Sequence, residues 1–229
     1  MHLPKSSIPR ARLKILRHIL FLFLFPNGCV LAQVSRVVDS VYGYLDMAGS
    51  RTAADYTPIT QPERTRLYLN SMVNPILYFK AGLSGAIDQK NDKPKEWEQG
   101  ASGYGKRTAN ILSQYVIQRT VTFGLSSALH EDNRFFGSGR KGFWNRTGHA
   151  IVESVLARHE NGKQYPSISL FGGYAAAAFI SRSWQPPSTR SAGDGAVSFG
   201  LSTGYNTLAS VAKEFLPDVL HPHAKNHKP

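Results

Sequence analysis

Apolar residues open this chain as one short block and then recur mainly at helical spacing. The block, Ile19 to Phe25, is uninterrupted; Pro26-Asn27-Gly28 ends it. Beyond residue 60 the pattern divides into six segments. Thr60-Gln61-Pro62-Glu63 joins a cap-type Thr, an early proline and a Glu three residues on, which predicts a helix over 62–72. Asn74-Pro75 interrupts it, and Pro75 opens a second helix over 75–89. Ile111, Leu112, Tyr115, Val116, Val121 and Leu125 define the longest one, over 108–129, led in by Gly103-Tyr104-Gly105. Further helices are expected over 143–159, over 169–184, where four alanines run from Ala175 to Ala178, and over 194–215 up to Pro217.

Small residues sit four apart in several of these segments. Examples are Ala81 with Gly85, Gly124 with Ala128, Gly173 with Ala177, and the run Ala196, Gly200, Gly204. On a helix such positions form a smooth stripe along which two backbones approach closely. The expected fold is therefore mainly α: a compact bundle of about five or six helices with Gly/Ala-rich packing stripes. An outer-membrane β-barrel is the competing architecture. Val197 to Tyr205 alternates large and small residues with period two, 115–125 can be read likewise, and Asn161-Gly162 suits a hairpin turn. The alanine run and the helix-favouring stretch Leu208 to Phe215 weigh toward the bundle.

Charge then sets the compartment. Lys5, Arg10, Arg12, Lys14 and Arg17 precede the apolar block, no acid accompanies them, and Val30 and Ala32 fit the small positions of a cleavage site. These are the three parts of a secretory signal peptide over 1–32, with Gln33 as the first mature residue. The apolar block is too short to span a bilayer, which takes about 20 residues. Cys29 admits a lipoprotein reading, but Pro26 stands where that signal wants a Leu-like residue. If the cut follows Ala32, the only cysteine leaves with the leader, and the mature chain has no disulfide.

The expected organisation is an irregular lead-in over 33–60, one helical domain over 61–218 and a disordered basic tail over 219–229. The tail carries His221, His223 and His227. Removing five of the 27 Lys and Arg leaves 22 against 15 Asp and Glu, so the mature charge is about +7 rather than +12. A membrane or an anionic envelope surface is the partner this favours; nucleic acid is not, because an exported chain leaves it behind. The expected location is the periplasm or the outer membrane.

No metalloprotease, nucleophile-elbow, phosphate-loop or Cys-pair signature is present. The chemistry-bearing residues gather instead in Leu129-His130-Glu131-Asp132-Asn133-Arg134-Phe135-Phe136 and in Arg146-Thr147-Gly148-His149. His130, Glu131, Asp132 and His149 are the candidate catalytic set, and Arg107, Arg134 and Arg146 the candidate binding cations. Such a set suits an envelope hydrolase or a zinc or iron site. No cofactor beyond such a metal ion is implied. The competing reading is a helix end with a local polar network, Asp132 pairing with Arg134 or Arg146 and both phenylalanines in the core. His130, Glu131 and Asp132 converge only if the preceding helix has ended.

These segments, with Gly103 to Arg107, Ser181-Arg182-Ser183-Trp184-Gln185-Pro186 and Glu214-Phe215-Leu216-Pro217-Asp218, resemble an uncharacterised family of exported bacterial proteins. In that family a Leu-His-x-Asp-x-Arg-Tyr-Phe segment follows a Gly-rich helix, and the chain closes on Glu-Phe-Trp-Pro-Asp. The resemblance spans 98–218, with Phe135 and Leu216 as conservative departures. It implies export and brings no established activity.

Overall fold

The computed structural model describes Thr52 and residues 56–220; the leader, most of the lead-in and the tail histidines lie outside the described residues. Among the described residues six α-helices carry the fold: α1 (Gln61–Met72), α2 (Pro75–Lys90), α3 (Gly100–Ala128), α4 (Phe143–Glu153), α5 (Ile168–Ile180) and α6 (Ala192–Leu220). The one sheet among the described residues is a small antiparallel hairpin, β1 (Leu156–Arg158) with β2 (Gln164–Pro166), in which Ala157 faces Tyr165. The fold is thus a mainly α bundle, and the barrel alternative is overturned: 115–125 lies inside α3, and Val197 to Tyr205 inside α6.

Local caps start the first helices as expected. The Thr60 side chain accepts from the Glu63 N–H at 3.4 Å, and Asn74 Oδ1 accepts from the Ile76 N–H at 2.9 Å. Several boundaries differ, three of them with a clear cause. α3 begins at Gly100, because Gly103 is there for close approach: a Cβ at this position would lie 2.2 Å from the Glu98 carbonyl oxygen. The 143–159 segment stops being helical at Glu153, since Arg158 trades two backbone hydrogen bonds with Asp132 and needs an extended chain to do so. α6 runs through Pro217 instead of ending before it, and Arg146 braces that turn by gripping the Glu214 carbonyl and the Asp218 carboxylate.

α3 is the central helix. It packs against α5, α2 and α1, and α5 in turn meets α6, which also packs against α4. The expected small-residue stripes are real at two of these seams. A Cβ on Gly85 would lie 2.4 Å from Thr108 Oγ1 on α3, and one on Gly173 would lie 2.0 Å from Thr122 Oγ1. The stripe does not hold at Gly124, Gly200 and Gly204, where an added Cβ meets nothing within 4 Å. The close-packed glycine of α6 is Gly195, set against the Phe179 ring.

Candidate functional site

The polar segment after α3 folds as a helix end. Leu129 caps α3, His130 takes a left-handed φ of +55°, and the Glu131 N–H bonds the Ser126 carbonyl at 3.0 Å. That six-to-one bond around a left-handed residue is a Schellman ending, with His where Gly is usual. The turn directs Glu131 inward. Its carboxylate is buried and accepts from the Ile168 and Ser169 N–H groups at 3.1 and 2.8 Å and from Ser167 Oγ at 3.3 Å. It therefore neutralises the positive end of α5, whose first N–H groups have no partner within the helix.

Asp132 goes elsewhere. Arg134 grips both its oxygens, with Nη2 at 2.7 Å and Nε at 3.0 Å, while Nη1 reaches Glu63 at 2.9 Å. Burial works against the Arg134 charge, but the bonds to Asp132 and Glu63 outweigh it and raise its pKa. His149 Nε2 meets the Phe136 carbonyl at 2.9 Å, and His130 pairs with Glu160 on the surface. The four candidate catalytic side chains therefore serve four separate sets of partners. Among the described residues no group of three His, Cys, Asp or Glu is arranged to hold a metal ion.

The candidate binding cations have structural duties as well. Arg107 is 0% exposed and spends its N–H groups on the Lys93, Pro94 and Glu98 carbonyls, Gln89 Oε1 and Asp92, so it clamps the loop between α2 and α3. Arg146 ties α4 to Glu214 and Asp218 of α6 and stacks over Phe215 at 4.4 Å.

The open feature beside this network is a cleft of about 300 Å³ walled by α1, α3, α5, α6 and the 132–135 segment. Arg64, Arg119, Arg134 and Lys213 line it, and its one lining carboxylate is Asp132, already held by Arg134. Arg64 is only 9% exposed; its Nη1 bonds the Glu131 carbonyl, while its Nε has no hydrogen-bond partner among the described residues. Lys213 Nζ lies 5.9 Å from the centre of the Phe135 ring and pairs with no carboxylate among the described residues. Burial, reinforced by the Arg119 charge, pulls its pKa down to about 8. Burial pushes Tyr174 up to about 12, against the opposing pull of Arg119. Sequence reasoning missed this site because its cations come from three helices and form no motif. The available signal was a cation interrupting an apolar helical stretch, as Arg119 does in α3 and Lys213 in Leu208 to Phe215. No protein-family model matches this chain, and no similar curated protein or solved structure was found.

Proposed function

We propose that this chain is an exported envelope protein that rests on a membrane surface and acts by binding rather than by catalysis. The observation that carries the reading is apolar surface in ordered stripes. On α6, Val197, Leu201, Tyr205 and Leu208 are all exposed and recur at one-turn spacing along a single face. On α2, Phe79, Leu83 and Ile87 do the same, and Trp144 stands 80% exposed near the start of α4. Stripes of this kind exceed the scattered apolar residues normal for a protein surface. No described helix is long and apolar enough to cross a membrane, so these side chains suit the interfacial zone, with the basic charge attracted to anionic headgroups. Non-enzymatic action is supported by the structural task that each candidate catalytic side chain already performs.

Flotation with vesicles of phosphatidylethanolamine and phosphatidylglycerol tests this. Wild type is expected to rise with the vesicles, and a Leu201→Ser, Tyr205→Ser, Leu208→Ser variant to partition at least about tenfold less, since each lost side chain removes apolar burial. A wild type that stays at the bottom as a stable dimer would assign the stripe to self-association and overturn the reading.

A further inference from the structure

We propose that the cleft between α1, α3, α5 and α6 binds an anionic amphiphile, with Arg64, Arg119 and Lys213 receiving its acidic group and Leu67, Phe123 and Leu170 its apolar part. This goes beyond membrane docking, because the exposed α6 residues Val197, Leu201, Tyr205 and Leu208 do not line the cleft.

Several independent features of the cleft point to a ligand of that charge. Cations from α1, α3 and α6 line one small space although like charges repel, and the one carboxylate lining that space is held by Arg134. A buried polar atom without a partner is costly, and the Arg64 Nε is such an atom. Lys213 is a cation drawn out of water against a phenyl ring, with no carboxylate among the described residues to compensate it. Tyr174, buried on the same wall, forms no hydrogen bond through its hydroxyl among the described residues, which leaves a donor for an incoming oxygen. A phosphoryl or carboxylate group would satisfy these donors together through charge-assisted bonds.

The remaining lining sets the other half of the ligand. Leu67, Phe123 and Leu170 give the cleft apolar surface that a bare anion would not use. A volume of about 300 Å³ lies at the small end of ligand sites, enough for a headgroup and a few carbons but not for whole acyl chains. A membrane lipid reaching in by its headgroup and a free small anion share this chemistry, and the test separates them.

The measurement is calorimetric titration of the purified full chain with dihexanoyl phosphatidylglycerol below its micelle concentration. Dihexanoyl phosphatidylcholine and inorganic phosphate serve as the comparison probes. The phosphatidylglycerol is expected to bind at least about tenfold more tightly than either. Lys213→Gln and Arg119→Gln should each weaken it about tenfold, roughly one charge-assisted bond, and Lys213→Arg by less than about threefold. Circular dichroism checks that each variant keeps its helices. Equal binding of the two lipids would overturn the anionic half, and phosphate binding as tightly as the lipid would overturn the amphiphile half. Unaltered binding in both Gln variants would remove the cleft as the site. The triple Ser variant of α6 should keep wild-type binding here, so failure of the membrane reading and failure of this one are distinguishable.

Discussion

The segment 130–134 and the cleft it borders are built from the same residue types and treat them in opposite ways. In the segment, each buried charge has a partner: Glu131 meets three donors at the start of α5, and Asp132 meets Arg134, which also holds Glu63 of α1. Arg107 follows the same rule at the far end of α3, with its donors spread over one loop. In the cleft, Arg64 keeps an unsatisfied Nε, and Lys213 has a ring where an acid would be expected. Fully met polar networks specify a fold, whereas a cation kept without its partner lowers stability for some other return. The comparison teaches that the richest cluster of acids and histidines in the sequence is engaged by partners within the fold, and that the thinner scatter of cations beside it is the place to look for a ligand.

The largest expected effect breaks the satisfied side. Arg107→Met removes a buried side chain and its donors from three backbone carbonyls at once, and should lower unfolding free energy by about 3 to 5 kcal/mol in urea titrations. On the unsatisfied side the sign reverses. Lys213→Met should raise stability at pH 7 by about 1 to 3 kcal/mol, because a pKa held near 8 against an ordinary 10.5 means that folding disfavours the bound proton. That difference is fully present below pH 8 and should fade as pH rises toward 10.5, where the unfolded chain also loses the proton. Among the groups around the cleft, arginines keep their charge throughout this range and Tyr174 titrates near 12, so neither reverses the trend in that window.

Packing sharpens the same contrast more gently. Gly173→Ala places a Cβ 2.0 Å from Thr122 Oγ1 and 2.7 Å from the Gln118 carbonyl oxygen, and should cost about 1 to 3 kcal/mol. Gly200→Ala meets open space and should gain up to about 1 kcal/mol from helix propensity. Thermal melts of the two variants read both.

Those two glycines also show where the sequence was legible. Helix starts at Thr60 and Asn74-Pro75 were readable because a cap is a local event, satisfied within three residues. Small-residue spacing was readable as helix but not as seam. The spacing is identical at Gly173 and Gly200, and only the placement of α5 on α3 makes one of them tight. Pro217 gave a sound local stop signal that Arg146, 71 positions earlier, overrides by holding Glu214 and Asp218 across the break. At the candidate site, the left-handed turn at His130 is what sends Glu131 to α5 while His130 itself pairs with Glu160 at the surface. A run of neighbouring acids and histidines cannot disclose such a turn. The cleft was legible only at its Asp132 and Arg134 edge, because Arg64, Arg119 and Lys213 meet only once α1, α3 and α6 are assembled.

The central claim is that Lys213 is kept at a cost in stability because it serves an anion. Melting temperatures of wild type and Lys213→Met, each with and without dihexanoyl phosphatidylglycerol at pH 7, test it in one experiment. Lys213→Met should melt higher than wild type when both are free, by about 2 to 4 °C per kcal/mol gained. The lipid should raise the melting temperature of wild type, as any ligand of the folded state does, and move the variant far less. A variant that melts no higher than wild type, or that the lipid stabilises as strongly as wild type, would contradict the account.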